Sequence, residues 1–176
     1  MAKKRPAKKS KRRKAIEWGV QALVVIVVLW GLTAWQGRHL ISDHEPAPGF
    51  ELETLDGDTV SLADARGRPA VIYFFAPWCT VCNYSSHNIV ALREARPEEE
   101  LAVFAVGLGW EDAGDVRRFA RDHELNVPVL LGDERIQRDY KVTSFPTVYV
   151  VDPAGNVSDA VVGYTTELGL RLRSLM

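Results

Sequence analysis

The sequence predicts an α/β domain in which a central mixed sheet carries helices on both faces. Apolar runs of strand length alternate with amphipathic segments of helix length over most of the chain. The run 70–75, AVIYFF, is apolar throughout and rich in β-branched and aromatic residues, which is typical of a strand buried on both faces. The two cysteines of the chain, Cys79 and Cys82, follow where this strand would pass into a helix.

The N-terminal residues 1–14 form a basic tail, which we predict to be cytoplasmic. They contain nine lysines and arginines and no acid, which leaves 13 basic against 23 acidic residues in the remainder of the chain. The remainder is therefore strongly acidic, which argues against a nucleic-acid partner.

Residues 15–35 are predicted to form a transmembrane anchor. Their only polar side chains are Glu17, Gln21 and Thr33, and a helix of this length, at about 1.5 Å per residue, spans a bilayer core of ~30 Å. The positive charges before the segment place the N-terminus in the cytoplasm and the rest of the chain across the membrane. A cleaved signal peptide is the alternative, although no good cleavage site follows the apolar run. Residues 36–48 have the composition of a linker.

The remaining residues, 49–176, are predicted to fold as one domain. It starts with a hairpin that turns at Asp56–Gly57, followed by the strand 70–75. A helix is expected from Cys79 to a point before Pro97, with apolar residues at 81, 84, 89, 92 and 95.

The second half of the domain continues the alternation of strands and helices. We expect a strand in 101–110, a helix over 112–123, a strand in 127–133, a short helix over 134–140, a strand over 147–151 and a hairpin turning at 152–155. A final helix would place Leu168, Leu172 and Leu175 on one stripe.

The cysteine pair is compatible with three kinds of site. A structural disulfide across only two intervening residues would constrain little chain entropy, and so would stabilise weakly. A structural zinc site lacks a second cysteine pair, and the four histidines show no ligand spacing, so we predict no metal. A redox dithiol remains, and outside the cytoplasm such a pair can be oxidised and stay so.

The position of the pair assigns a different role to each sulfur. Cys79 would lie at the helix N-terminus, where free N–H groups and the helix dipole favour its thiolate, the attacking species. Cys82 would lie one turn further in, close enough to attack a mixed disulfide and too shielded to react first.

The segment 48–82, with a W-C-x-x-C at a strand-to-helix junction, resembles a known group of proteins. These are the membrane-anchored, thioredoxin-fold disulfide oxidoreductases of the bacterial periplasm, of the TlpA and ResA type. Tyr73 and the C-x-V-C pattern are most similar to the suppressor-of-copper-sensitivity branch. The resemblance covers most of the chain from Gly49 on. It implies a thioredoxin-like fold with an N-terminal β-hairpin and a helix–strand insertion, held at the inner membrane with the domain in the periplasm.

The resemblance also implies a substrate-binding platform around the dithiol. A cis bond at Phe145–Pro146 would face Cys79, and the exposed backbone of Phe145 would pair with an extended segment of a client protein. Trp78 would complete the platform, and Thr80 and Val81 would tune the redox potential. No cofactor is implied beyond the Cys79–Cys82 pair itself.

The function implied is the reduction of disulfides in periplasmic client proteins, with electrons supplied by a membrane thiol donor. Cytochrome c maturation and copper tolerance are the two settings that the resemblance suggests. A disulfide oxidase or isomerase is an alternative within the same enzyme class. A Cu(I)-binding chaperone that uses the same two thiols, and a tether with an inert disulfide, are alternatives from other classes.

The chain departs from the family at two positions beside the dithiol. Tyr73 stands where thioredoxins keep a buried aspartate, and Ser85 stands where ResA-like proteins keep a glutamate. Neither usual base is therefore present, and water or an unplaced carboxylate would take the proton from Cys82. His87 lies eight residues past Cys79, roughly 12 Å along a helix, which is too far for direct transfer.

Overall fold

The computed structural model describes residues 11–37, 40–41 and 44–175, and the chain divides into two units between Arg38 and His39. In the first unit, helix α1 (Lys11–Gly37) begins four residues before the predicted anchor, and residues 1–10 of the basic tail lie outside the described residues. Within the described ranges, no helix is both long enough and apolar enough to cross a membrane. The anchor at 15–35 stays a prediction.

The described residues of the second unit form seven strands, four α-helices and one turn of 3₁₀ helix (Leu62–Ala65). The strands are β1 (Glu51–Glu53), β2 (Thr59–Ser61), β3 (Ala70–Phe75), β4 (Ala102–Gly107), β5 (Val129–Leu131), β6 (Thr147–Val151) and β7 (Val157–Val162). The helices are α2 (Thr80–Ala95), α3 (Ala113–Asp122), α4 (Glu134–Asp139) and α5 (Glu167–Arg173).

Five of these strands form the predicted mixed sheet, in the order β5-β4-β3-β6-β7. The strands β3, β4 and β5 run parallel, whereas β6 is antiparallel to both β3 and β7. Because β3 is central, Tyr73 lies between Ala105 of β4 and Val148 of β6. The separate β1–β2 hairpin turns at Asp56–Gly57 as predicted, and Gly57 adopts the positive φ (90°) that favours glycine there.

Side chains of β3 alternate between two apolar layers, so the strand is buried on both faces as predicted. Ile72 and Phe74 pack with residues of the 3₁₀ helix and α4. Val71, Tyr73 and Phe75 pack with residues of α2, α3 and α5. Helices therefore cover both faces of the sheet. The central strand β3 ends shortly before the segment that contains the two cysteines.

Part of the predicted linker lies against the domain. Leu40 and Ile41 are buried, and the Ile41 N–H donates to the hydroxyl of Tyr149 at 3.3 Å. The His44 N–H donates to the carbonyl oxygen of Val157 at 2.7 Å. Described residues before Gly49 thus contribute to the domain core.

The helix predicted after Cys79 is confirmed, but its apolar side chains do not all face the core. Ile89 and Leu92 are buried, whereas Val81 is 42% exposed and Tyr84 is 70% exposed. The inner face near the dithiol is instead formed by small side chains, Cys82, Ser85 and Ser86. Tyr73 packs in the same apolar cluster as Cys82, and its hydroxyl contacts Ser85 Oγ.

The leucine stripe predicted for α5 faces solvent. Its members Leu168, Leu172 and Leu175 are each more than half exposed, whereas Leu170 is buried. The helix is oriented from both ends, because the Glu167 N–H donates to Asn88 Oδ1 at 3.3 Å and Arg173 pairs with Asp159. Those contacts turn the Leu170 side toward α2 and the sheet.

Replacing Leu170 with alanine is expected to lower the free energy of unfolding by about 2–5 kcal/mol, because it empties a filled site in the core. The matched change Leu168→Ala should alter it by less than about 0.5 kcal/mol, because that side chain is 62% exposed. Urea denaturation of the two variants measures both values. Equal losses would show that the orientation of α5 is not the one described.

Candidate active site

The two cysteines lie at the start of α2, directly beyond the end of β3. The Cys79 N–H donates to the carbonyl oxygen of Ala76 at 3.0 Å, which closes the turn between strand and helix. Cys79 is the N-cap of α2, and its Sγ accepts a hydrogen bond from the Cys82 N–H at 3.3 Å. Both cysteines are free thiols. The sulfur at the helix N-terminus and the sulfur one turn inside are therefore neighbours, as the sequence predicted.

The loop before β6 faces this dithiol. The Phe145–Pro146 bond is cis, as the resemblance led us to expect. The Cys79 Sγ lies 3.5 Å from the carbonyl oxygen of Phe145, although the two residues are 66 positions apart in the sequence. The structure thus brings Cys79, Phe145 and Pro146 together.

Trp78 covers one side of the same site. Its indole Nε1 donates to the carbonyl oxygen of Gly109 at 2.8 Å, and its ring packs edge-on against Phe145 with centroids 5.7 Å apart. The side chain is nonetheless 69% exposed. Gly109 has a positive φ of 61° in the loop that supplies this carbonyl, so the backbone at that point is in a conformation that favours glycine. Trp78 is therefore fixed at one end and open to a partner over most of its surface.

Access differs between the two sulfurs. Cys79 is 7% exposed, whereas Cys82 is 0% exposed. The predicted tuning residues Thr80 and Val81 both lie exposed on the first turn of α2, beside the dithiol. Cys79 is therefore the more accessible of the two cysteines.

The environment of Cys82 disfavours its thiolate. Burial raises the pKa of the Cys82 thiol, and a hydrogen bond with Cys79 raises that pKa further. A backbone hydrogen bond from Ala76 and a side-chain hydrogen bond from Tyr73 act in the opposite direction. Burial therefore favours the neutral thiol form of Cys82.

Tyr73 and Ser85 contact each other beneath the dithiol. The Tyr73 hydroxyl lies 2.8 Å from Ser85 Oγ, and both hydroxyls lie within hydrogen-bond distance of the Cys82 carbonyl oxygen, at 3.2 and 3.3 Å. Both residues are buried. The sequence indicated that Tyr73 and Ser85 each replace the usual acid, but it did not predict the contact between these two side chains. Their twelve-residue separation across a strand and a helix gave no signal of it.

His87 lies outside this arrangement. It is exposed on α2, and its ring packs edge-on against His123 with centroids 6.0 Å apart. His123 Nε2 lies 3.2 Å from Asn83 Oδ1, and burial lowers the pKa of His123. Across the part of the chain that the structure describes, no group of three or more His, Cys, Asp or Glu side chains could hold a metal ion.

The profile of the AhpC/TSA family matches residues 44–160, which is more than half of the chain. The chain belongs to the AhpC/TSA family. Its matched part extends from the segment before β1 into β7 and contains the dithiol, Trp78 and the Phe145–Pro146 loop.

Comparison with individual proteins gives more specific likenesses. The chain is 33% identical over 155 residues to the thioredoxin-like protein YneN of Bacillus subtilis (strain 168), covering 82% of this chain and 89% of that protein. It is 30% identical over 164 residues to the thiol-disulfide oxidoreductase ResA of the same organism, covering 90% of each. The structure superposes on the thiol:disulfide interchange protein DsbE of Chlorobium tepidum with a TM-score of 0.71 and 25% identity, over 77% of this chain and 96% of that chain.

These likenesses agree with the geometry of the site. This member of the AhpC/TSA family is a TlpA/ResA-type, thioredoxin-like protein disulfide oxidoreductase. Its substrates are proteins that carry disulfides.

Proposed function

We propose that this oxidoreductase reduces disulfides of client proteins, with Cys79 as the attacking sulfur and Cys82 as the resolving one. The observation that carries the assignment is the difference in position between the two sulfurs. Cys79 caps α2 beside the Phe145 carbonyl oxygen and the exposed Trp78, whereas Cys82 is completely buried. Only the first is placed to meet a bulky disulfide.

The reaction consists of two exchange steps. In the first, the Cys79 thiolate attacks one client sulfur, the client disulfide breaks, and its other sulfur leaves with the electron pair. In the second, the Cys82 sulfur attacks Cys79, the mixed disulfide breaks, and the client leaves as a dithiol. The enzyme is left with a Cys79–Cys82 disulfide, so two electrons have passed to the client. No resident cofactor is needed, because the cysteine pair is itself the redox-active group.

Trp78, Phe145 and Pro146 form the client platform in this proposal. The Phe145 carbonyl oxygen beside Cys79 is available to accept a backbone hydrogen bond from an extended client segment. The exposed face of Trp78 provides apolar contact next to the reacting sulfur. Thr80 and Val81 lie nearest the dithiol on α2 and would set its potential.

The proposed direction of electron flow is argued from the residues between the cysteines. Neither Thr80 nor Val81 is cationic, so no positive side chain within the motif stabilises a thiolate in the way that favours a strong oxidant. This supports a reductase over a strong oxidase. A membrane thiol donor would return the Cys79–Cys82 disulfide to the dithiol.

Equilibration of the protein with glutathione buffers tests the direction. We expect a potential near that of a reductant, about -270 mV, where a strong oxidant would lie near about -120 mV. The fraction of Cys79–Cys82 disulfide at each glutathione ratio, measured by mass spectrometry after acid quenching, gives the value. A potential at the oxidant end would contradict the proposed direction.

We also propose that the N-terminal segment tethers the enzyme to the bacterial inner membrane, with the catalytic domain in the periplasm. Its support is the 21-residue apolar run at 15–35 and the basic residues before it. The apolar side chains Ile16, Val20 and Leu23 of α1 are each more than half exposed. Retention of the full chain in the membrane pellet after alkaline carbonate extraction is the expected result, and its release would contradict the tether. Cytochrome c maturation and copper stress are the proposed client settings.

A further inference from the structure

We propose that the Tyr73 hydroxyl, oriented by Ser85, positions the Cys82 sulfur and donates a hydrogen bond to it during the second exchange step. The inference rests on the resolving role proposed for Cys82. Tyr73 acts through that sulfur and does not touch the client, so it is a positioning residue.

The Tyr73 hydroxyl is held in place from several directions. Tyr73 lies on the central strand β3 and is 0% exposed. Its ring stacks on Phe75, with centroids 5.8 Å apart and an angle of 14° between the planes. The hydroxyl then meets Ser85 Oγ at 2.8 Å and the Cys82 carbonyl oxygen at 3.2 Å. A group fixed in this way can stabilise charge on the adjacent sulfur without rearrangement of the core.

The hydroxyls of Tyr73 and Ser85 carry one hydrogen each. These two hydrogens cannot satisfy all the neighbouring hydrogen-bond acceptors at once. With Cys82 as a thiol, Tyr73 can donate to Ser85 Oγ while Ser85 donates to the Cys82 carbonyl oxygen at 3.3 Å. When charge develops on the Cys82 sulfur, Ser85 can turn its hydrogen to the Tyr73 oxygen, which frees the Tyr73 hydrogen for the sulfur.

Tyr73 is suited to donate a hydrogen bond but not to accept a proton. Burial raises the pKa of Tyr73, so its hydroxyl stays neutral and remains a donor at physiological pH. The two titratable groups that act on Cys82 are Tyr73 from β3 and Cys79 from the N-terminus of α2. The Cys82 proton therefore passes to water, and the departing client sulfur, which carries the electron pair of the broken bond, takes up a proton from water. The products are a Cys79–Cys82 disulfide and a client thiol, so atoms and charge balance without a protein base.

A single-turnover experiment on the full chain separates the two exchange steps. The reduced protein is mixed with oxidised glutathione, quenched with acid at intervals, and analysed by mass spectrometry for the Cys79–glutathione adduct and the Cys79–Cys82 disulfide. In Tyr73→Phe we expect adduct formation at the wild-type rate and adduct decay about tenfold slower, since a hydrogen bond to a developing charge is lost. In Ser85→Ala we expect decay about threefold slower, since the donor remains but loses its partner.

Tyr140→Phe is the matched control, because it removes another buried tyrosine hydroxyl, which donates to the Pro48 carbonyl oxygen at 2.6 Å. Both steps should keep the wild-type rate in that variant. Decay of the Cys79–glutathione adduct at the wild-type rate in Tyr73→Phe would overturn the inference. If that variant does not fold, adduct decay at the wild-type rate in Ser85→Ala would overturn it. Slowing of both steps equally would also overturn it, because a general disturbance of the site would then be the cause. An adduct that never decays in the wild-type protein would instead contradict the proposed role of Cys82.

Discussion

Replacing Cys79 with serine is expected to lower disulfide reduction by on the order of 10³-fold or more, because a serine hydroxyl is a far weaker nucleophile than a thiolate. The buried Cys82 cannot substitute for it, since its sulfur is 0% exposed and burial raises the pKa of its thiol. Reduction of insulin with dithiothreitol as electron donor measures the turnover. The change leaves the fold intact, because serine can cap α2 in place of the Cys79 sulfur.

Two comparisons make this loss specific to the nucleophile. Cys82→Ser should keep the first exchange step, and so should still consume one equivalent of a disulfide substrate per protein molecule. Tyr164→Ala, an exposed change after β7, should keep full turnover. If Cys79→Ser retained a tenth or more of the wild-type turnover, the reacting sulfur would have been assigned wrongly.

Replacing Phe75 with alanine is expected to lower the free energy of unfolding by about 3–5 kcal/mol, because it removes a large aromatic ring from the core. Phe75 is 0% exposed and stacks between Tyr73 and Phe119, with ring centroids at 5.8 and 4.5 Å. It is also the last residue of β3, directly before the turn that carries Cys79. Urea denaturation measures the loss.

The conservative change Phe75→Leu keeps most of the apolar volume and should cost less than about 1.5 kcal/mol. Tyr84→Ala removes an aromatic ring that is 70% exposed, and should change stability by less than about 0.5 kcal/mol. A loss below about 1 kcal/mol in Phe75→Ala would mean that the stack between strand and α3 does not support the core. That result would also weaken the argument that Tyr73 is held rigidly.

The elements with strong local patterns could be predicted from the sequence. The strand 70–75 and the helix that begins after Cys79 both have the predicted bounds to within one or two residues. Their patterns are local, because a continuous apolar run needs only a sheet that is covered on both faces, and a Pro at 97 ends the helix that precedes it. The cysteine pair at their junction then follows from chain geometry.

Burial on the helices could not be predicted in the same way. Apolar periodicity does not mark the buried side of these helices, since Val81, Tyr84 and three leucines of α5 are exposed, and the inner face of α2 near the dithiol is formed by Cys82, Ser85 and Ser86. A periodicity argument treats serine as an outward-facing residue, so it could not show that Ser85 is buried against the Tyr73 hydroxyl. The orientation of α5 likewise depends on contacts with Asn88 and Asp159, which are distant in sequence.

The client platform could be predicted only through resemblance to a family. Cys79 and Phe145 are 66 residues apart, and Trp78 and Gly109 are 31 residues apart. No periodicity or spacing brings such positions together, whereas the parallel strands β3 and β4 and the antiparallel strand β6 do so in the fold. The hydrogen-bonded pair of Tyr73 and Ser85 had neither a local pattern nor a family precedent to reveal it.

The most direct test of thiol-disulfide exchange at Cys79 uses the variant Cys82→Ala, which removes the resolving sulfur. Cells that produce this full-length variant are quenched with acid, and disulfide-linked partners are recovered and identified by mass spectrometry. We expect client proteins joined through Cys79, which disappear on reduction and are absent from the double variant Cys79→Ser/Cys82→Ala. No such adducts with Cys82→Ala, or the same partners recovered with the double variant, would contradict the account.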